Sequence, residues 1–101
     1  MRSLAATSAS PVAAVANGLA CFPNPSNATV SFTRGAGPAT ALDVYDITGR
    51  RVATLEPNVG VAGLSWSWDG RDTHGARVAA GSFFARPRDG STRALRVTRV
   101  R

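Results

Sequence analysis

The residues that could support catalysis are few. The chain of 101 residues has one histidine, His74, and one cysteine, Cys21. His74, Asp72 and a serine are the side-chain types of a hydrolytic triad, in which the histidine removes the proton of the serine hydroxyl. Segment 72–75, however, reads Asp-Thr-His-Gly, which is typical of a tight turn, and no Gly-x-Ser-x-Gly elbow occurs. Cys21 has no histidine near it in sequence to activate its thiol, so we expect no enzymatic activity.

A metal or cofactor site is equally unexpected. Carboxylates are available at Asp43, Asp69, Asp72 and Asp89, and Ca²⁺ prefers such oxygen ligands. Their spacing lacks the dense Asp-x-Asp-x-Asp-Gly pattern of a calcium loop, and aspartate near a turn glycine commonly accepts hydrogen bonds from turn amides. A single cysteine excludes an intrachain disulfide and a zinc site built from several cysteines, and no phosphate or dinucleotide loop occurs. We therefore expect turn capping, no metal and no cofactor.

The positive charge is the more informative signal, because of where it lies. Twelve arginines and no lysine face six acidic residues, for a formal charge of +6. Residues 1–84 carry six arginines and five acids, whereas residues 85–101 carry six arginines against Asp89 alone. These six are Arg86, Arg88, Arg93, Arg96, Arg99 and Arg101. A concentrated positive charge is typical of a surface that meets an anionic partner.

These arginines form a stripe if the last two strands pair. The Asp89-Gly90 turn predicts a hairpin in which Arg86 and Arg88 share one face and Arg96 points away from its apolar neighbours. One interpretation is a basic stripe that recognises an anionic groove on a partner. The other is a solvated edge that keeps the sheet from pairing with other chains. The sequence leaves both interpretations open.

Other marked residues favour a structural interpretation. Trp66 and Trp68 alternate with serines and so point to one face of a strand, and two tryptophans on one face are more often part of the core. Of the two, Trp66 is the better candidate for an exposed ring that stacks on a ligand. Arg50 and Arg51 follow the turn at residues 46–49, which is more typical of a hairpin with solvated arginines than of a contact surface. Pro23 and Pro25, which follow the Ala-rich residues 1–21, predict a rigid beginning to the folded part.

Beyond residue 21 the sequence has the two-residue period of β-strands. The clearest runs are 28–33, 41–47, 51–56, 64–68, 81–84 and 94–100. With turn residues between them, these runs predict an all-β fold, an immunoglobulin-like β-sandwich of about seven short antiparallel strands. Residues 1–21 are rich in Ala and Ser and show no such period. We expect a flexible linker or a degenerate export segment at 1–21 and a single domain at 22–101.

Four short motifs resemble a known module in their order and spacing. They are Pro-Asn-Pro-Ser-Asn at 23–27, Leu-Asp-Val-Tyr-Asp-Ile-Thr-Gly-Arg-Arg-Val at 42–52, Trp-Asp-Gly-Arg-Asp at 68–72 and Gly-Ser-Phe-Phe at 81–84. Over about residues 20–101 the chain resembles the immunoglobulin-like C-terminal domain of type IX secretion cargo, which is similar to the immunoglobulin-like domain of the flagellar hook-capping protein. The residues that carry the likeness are Pro23, Asn24, Pro25, Tyr45, Asp46, Gly49, Arg50, Trp68, Asp69, Gly70, Gly81 and Phe83. The chain departs from the family pattern at Ser26, where an aromatic is usual, at Phe83, where a tyrosine is usual, and at its arginine-rich last strand, which in the family often ends near a lysine.

The resemblance implies a non-catalytic sorting domain of an exported bacterial protein. Such a domain crosses the periplasm and directs its cargo through the type IX system, to be secreted or held at the cell surface. The implied partners are the outer-membrane secretion machinery and an upstream cargo domain that this chain lacks. Anionic lipopolysaccharide is a further candidate partner for the basic stripe. The alternative is a structural assembly or adhesion module like that of the hook cap, which predicts self-association. Nucleic-acid binding is not expected, because no aromatic residue in the sequence interleaves with the arginines as a single-strand groove requires.

Overall fold

Two packed antiparallel sheets make up the structure. The computed structural model describes residues 14–16, 18–35, 38–60, 63–91 and 93–100. The strands are β1 (Ala14–Ala16), β2 (Leu19–Phe22), β3 (Val30–Arg34), β4 (Leu42–Tyr45), β5 (Arg51–Leu55), β6 (Asn58–Gly60), β7 (Gly63–Trp68), β8 (Gly81–Pro87) and β9 (Leu95–Arg99). One sheet has the strand order β1-β2-β3-β7-β6 and the other has the order β5-β4-β8-β9. Within the described ranges, no helix is long and apolar enough to span a bilayer.

This strand order is that of an immunoglobulin-type sandwich. The run β2-β3-β7-β6 corresponds to the A-B-E-D sheet, and β5-β4-β8-β9 corresponds to the C, F and G strands with one strand added beside C. All the strand pairs of the two sheets are antiparallel. The predicted all-β sandwich is confirmed, although the described residues form nine strands instead of about seven. Two of the nine, β1 and β6, are only three residues long.

The core follows from the alternation along the strands. In β3, Val30 and Phe32 are buried while the residues after each of them are exposed. In β7, Trp66 and Trp68 are each 1% exposed, so the expectation that Trp66 was the better candidate for exposure was wrong. The Trp66 indole N–H donates to the Thr40 carbonyl at 3.0 Å, which satisfies the one polar atom of the ring inside the core. Neither tryptophan is therefore available to stack on a ligand.

The N-terminal boundary of the sandwich differs from the prediction. Strand β2 pairs with β3, and the side chains of Leu19 and Cys21 are 0% and 1% exposed. Strand β1 pairs with β2 in turn, so residues 14–16 also belong to this sheet. The expectation of a linker over 1–21 was therefore wrong for residues 14–16 and 19–21. The larger apolar residues Leu19 and Cys21 are two positions apart, as in a strand, but this pattern is too short to be distinguished from the Ala-rich segment before it. The rest of the predicted linker, residues 1–13, lies outside the described part of the chain.

Candidate recognition surface

The loop with the first motif covers one edge of the four-stranded sheet. The Asn24 side chain donates an N–H to the Arg96 carbonyl at 3.1 Å, and its Oδ1 accepts the Thr98 amide at 2.9 Å. Ser26 continues this pairing, because its amide donates to the Thr98 carbonyl at 3.0 Å and its carbonyl accepts the Val100 amide at 2.9 Å. The Asn24 side-chain amide thus forms the two hydrogen bonds to β9 that the backbone of a neighbouring strand would form. The loop protects β9 from pairing with another chain.

The neighbouring loop residues serve the same structural purpose. Pro23 is half-buried and Pro25 is exposed, and the peptide bond before each of them is cis. Ser26 is buried, and its hydroxyl oxygen accepts the Ala28 amide at 3.0 Å. The Ser26 side chain therefore closes a local turn at the start of the domain. The first motif fits the interpretation of a rigid beginning to the domain.

The second motif is a capped hairpin turn between β4 and β5. One oxygen of the Asp46 carboxylate accepts the Thr48 amide at 2.9 Å, the Thr48 hydroxyl at 2.6 Å and the Arg50 amide at 3.0 Å. These bonds hold the pKa of Asp46 below its usual value, and the bond from the Thr48 hydroxyl has the largest effect. The Arg50 guanidinium lies 3.2 Å from the other carboxylate oxygen, and Gly49 has φ +87°. The motif is explained by turn chemistry.

The third and fourth motifs meet the last strand in the interior. The Trp68 indole N–H donates to the Arg71 carbonyl at 2.9 Å, and the ring packs edge-to-face against Phe83 with centroids 5.4 Å apart. The Arg99 guanidinium lies 5.3 Å from the centre of the Trp68 ring. Gly70, at φ +80°, leaves the space that this guanidinium fills, since a β-carbon on Gly70 would lie 2.6 Å from Cζ of Arg99. Gly81 begins β8 at φ +149°.

Arg99 therefore does not belong to a surface stripe. Its side chain is 5% exposed, because Arg99 lies on the inner face of β9 together with Leu95 and Val97. The guanidinium also donates to the Ala28 carbonyl. Burial, and then the positive charge of Arg77, lower the pKa of Arg99. Arg99 was predicted as a recognition residue, but the structure places its side chain inside the sandwich and not on the outer face.

Arg88 is committed to an ion pair within the same sheet. Its guanidinium donates to both carboxylate oxygens of Asp43, from Nη2 at 2.9 Å and from Nε at 3.2 Å. The Thr54 hydroxyl donates to the same carboxylate at 2.9 Å. The hydrogen bond from Arg88 is the largest of the effects that lower the pKa of Asp43. Because Asp43 compensates its charge, Arg88 contributes little positive potential to a recognition surface.

The remaining aspartates cap turns. Asp69 accepts the Arg71 amide at 3.1 Å, Asp72 accepts the His74 and Ala76 amides at 2.9 and 3.0 Å, and Asp89 accepts the Ser91 amide at 2.9 Å. No group of three or more His, Cys, Asp or Glu side chains in the described part of the chain is arranged to hold a metal ion. The aspartates are therefore accounted for by local backbone geometry, as the turn-capping interpretation predicts.

The outer face of the four-stranded sheet brings arginines and aromatic rings together. Tyr45 on β4 lies opposite Phe84 on β8, which in turn lies opposite Arg96 on β9. The Arg86 guanidinium lies 5.4 Å from the centre of the Tyr45 ring. Arg86 and Arg96 are exposed, and both rings are half-buried. We call these four residues the arginine–aromatic face.

A shallow groove lies on this face. It has a volume of about 430 Å³ and is lined by Tyr45, Phe84, Arg86 and Ala94 together with turn residues of the β4–β5 hairpin. Ile47 of that hairpin is 78% exposed beside the groove. The premise that no aromatic residue interleaves with the arginines was therefore wrong. Phe84 and Arg86 have the spacing that places both on one face of a strand, whereas the contribution of Tyr45 depends on the pairing of β4 with β8.

The structure thus divides the six C-terminal arginines by role. Arg86 and Arg96 lie on the arginine–aromatic face, Arg88 pairs with Asp43, and Arg99 is buried. Arg93 is exposed in the β8–β9 connection, and Arg101 lies outside the described residues. The chain matched no protein-family model, no curated protein and no solved structure.

Proposed function

We propose that the chain is a non-catalytic sorting domain that directs an exported bacterial protein through the type IX secretion system. The observation that carries the proposal is the arginine–aromatic face beside the C-terminal hairpin. Arg86 and Arg96 are exposed there next to two rings, and among the described residues neither guanidinium lies within 4 Å of a carboxylate. Such a face combines charge for orienting a partner with apolar area for binding it.

The placement of the motif residues supports the same proposal. Asn24 contacts β9, and Trp68 and Gly70 enclose Arg99 of the same strand. The first and third motifs therefore hold the last strand in place. With that strand fixed by the rest of the sandwich, the residues on its outer side are presented in a defined geometry. A secretion receptor would read the arginine–aromatic face in this arrangement.

The direct test is export of a fusion protein. Residues 14–101 are fused to a periplasm-directed reporter in a host with type IX secretion, beside the same reporter on an established sorting domain. We expect the reporter at the cell surface or in the medium. Retention in the periplasm, while the established domain is exported, contradicts the proposal.

A paired variant test addresses the face itself. The double variant Arg86→Gln/Arg96→Gln is expected to reduce export at least tenfold without changing the thermal midpoint by more than a few degrees. Arg34→Gln/Arg71→Gln removes the same charge from positions outside this face and serves as the matched control. Equal export by the two double variants removes the face from the mechanism. A stable dimer or larger assembly in light scattering would instead favour the hook-cap type of module.

A further inference from the structure

A second cationic site lies away from the arginine–aromatic face, at the end of the sandwich where the two sheets meet. It is a cleft of about 470 Å³ between segment 77–80 and the last described residues, Arg99 and Val100, with Asn27 at its side. Arg77 is exposed at its rim and Arg99 is buried in its wall. We call it the Arg77–Arg99 cleft.

Arg99 has no ion-pair partner among the described residues. Its guanidinium contacts the Trp68 ring and donates to a carbonyl, but none of the six acidic residues lies within 4 Å of it. Buried charges in proteins are normally paired, because a charge removed from water without a counter-charge is costly. Arg77 lowers the pKa of Arg99 further by like-charge repulsion, and the negative charge of Asp69, which is not in contact with Arg99, opposes this only in part. An anion in the cleft would offset both the burial and the repulsion.

The two guanidiniums and the cleft walls define the chemistry of that anion. Arginine forks bind planar oxyanions with two parallel hydrogen bonds, and carboxylate fits this geometry. The walls combine aliphatic side chains, from Val78, Ala79, Ala80 and Val100, with a larger polar surface beside Asn27 and the two arginines, so they favour a small anion with little apolar area. From these contacts, we propose that the Arg77–Arg99 cleft binds a small carboxylate. This inference goes beyond the sorting function and does not depend on it.

Titration of the folded chain by NMR tests the proposal. The probes are propionate, inorganic phosphate and sodium chloride at matched ionic strength, read on the Arg99 Nε–H and Trp68 indole N–H signals. We expect a saturable shift with propionate, weaker binding of phosphate and no saturable shift with chloride. Phosphate binding as tight as propionate binding contradicts the assignment to a carboxylate, and identical responses to propionate and chloride overturn the site.

Variants and peptides place the site and identify the source of the carboxylate. Arg77→Gln, at an exposed position that should not disturb folding, is expected to weaken propionate binding at least tenfold, whereas Arg51→Gln, an exposed arginine outside the cleft, leaves it unchanged. Wild-type affinity in Arg77→Gln overturns the proposal. The peptide acetyl-Ala-Glu-Ala-amide, compared with its Gln counterpart, distinguishes a partner side chain from a free acid. Tighter binding of the Glu peptide than of propionate assigns the cleft to a protein partner, and the reverse order assigns it to a small molecule.

Discussion

The guanidinium of Arg99 occupies the space that Gly70 leaves open, above the Trp68 ring. This contact joins the third motif to the last strand, and it gives Gly70 two separate reasons to be glycine. One reason is its positive φ, and the other is the lack of room for a β-carbon. The two reasons can be separated experimentally, because Gly49 has nearly the same φ, and a β-carbon there would have no neighbouring atom within 4 Å.

Gly70→Ala is therefore expected to destabilise the fold more than Gly49→Ala. The positive φ alone costs about 1–2 kcal/mol for alanine in either position. The Arg99 guanidinium must also move in Gly70→Ala, and because it is the far end of a flexible side chain the added cost is about 1 kcal/mol, the low end of overpacking penalties. Urea denaturation of both variants measures the difference. In an Arg99→Ala background the two substitutions should cost the same, and a persistent difference there would show that Arg99 is not the cause.

Asn24→Ala should loosen the edge of β9. The substitution removes two hydrogen bonds to the Arg96 carbonyl and the Thr98 amide, each worth about 1 kcal/mol. We expect a loss of about 1–2 kcal/mol in the free energy of unfolding and faster hydrogen exchange at the Thr98 amide. Asn58→Ala, at an exposed position in β6, is the matched control and should change neither quantity. Unchanged exchange at Thr98 in Asn24→Ala argues against the strand-like role of the Asn24 side chain.

Stability should fall in acid through Asp43. The bonds from Arg88 and Thr54 lower the folded-state pKa of Asp43 below the unfolded value of about 3.9. A lowered pKa stabilises the fold above the unfolded value, and this contribution is lost as pH falls through the folded value. We expect the free energy of unfolding to be nearly constant from about pH 7 to 5 and to decrease below about pH 4.

Asp43→Asn isolates this effect. The variant should be less stable than the wild type at pH 7, and the two should converge in acid, where the wild-type carboxyl is also neutral. Arg88→Gln is expected to flatten the pH profile in the same way. Arg96→Gln removes an exposed arginine outside this ion pair and should retain the wild-type slope. A full wild-type slope in Asp43→Asn would assign the acid sensitivity to other carboxylates.

Leu19→Ala tests the revised N-terminal boundary. Leu19 is fully buried, so its truncation should cost about 2–5 kcal/mol, as for other core leucines. Val59→Ala, at an exposed position in β6, should cost less than about 0.5 kcal/mol. If Leu19→Ala has as little effect as Val59→Ala in thermal denaturation, β2 does not contribute to the stability of the sandwich.

The fold could be predicted because its main strands carry their own periodic signal. The apolar residues of β3 and β7 alternate with serine and threonine, so both the strands and their buried faces follow from local sequence. The same two-residue period puts Arg99 on the buried face of β9 with Leu95 and Val97, whereas the charge of Arg99 suggests a side chain exposed to solvent. The interior accommodates the Arg99 guanidinium through the Trp68 ring and the space at Gly70, and both of these residues are distant from Arg99 in sequence.

The candidate surface was less predictable for the same reason. Phe84 and Arg86 are two residues apart, so their common face could have been predicted from the sequence. Tyr45 joins them only because β4 lies beside β8, and no local turn signal indicates the pairing of two strands so far apart in sequence. Likewise, Asp43 and Arg88 form their ion pair across the sheet, and nothing near either residue indicates the partner.

The hydrogen bonds between the first motif and β9 also have a mechanical consequence. The bridge between Ser26 and Arg99 is parallel, so the loop and the last strand run in the same direction. A force that pulls residues 22 and 100 apart therefore loads the bonds of Asn24 and Ser26 in shear, all at once. Bonds loaded in shear share the load, whereas a hairpin opened from its end breaks one bond at a time. The sandwich would therefore resist tension between its two ends as a unit.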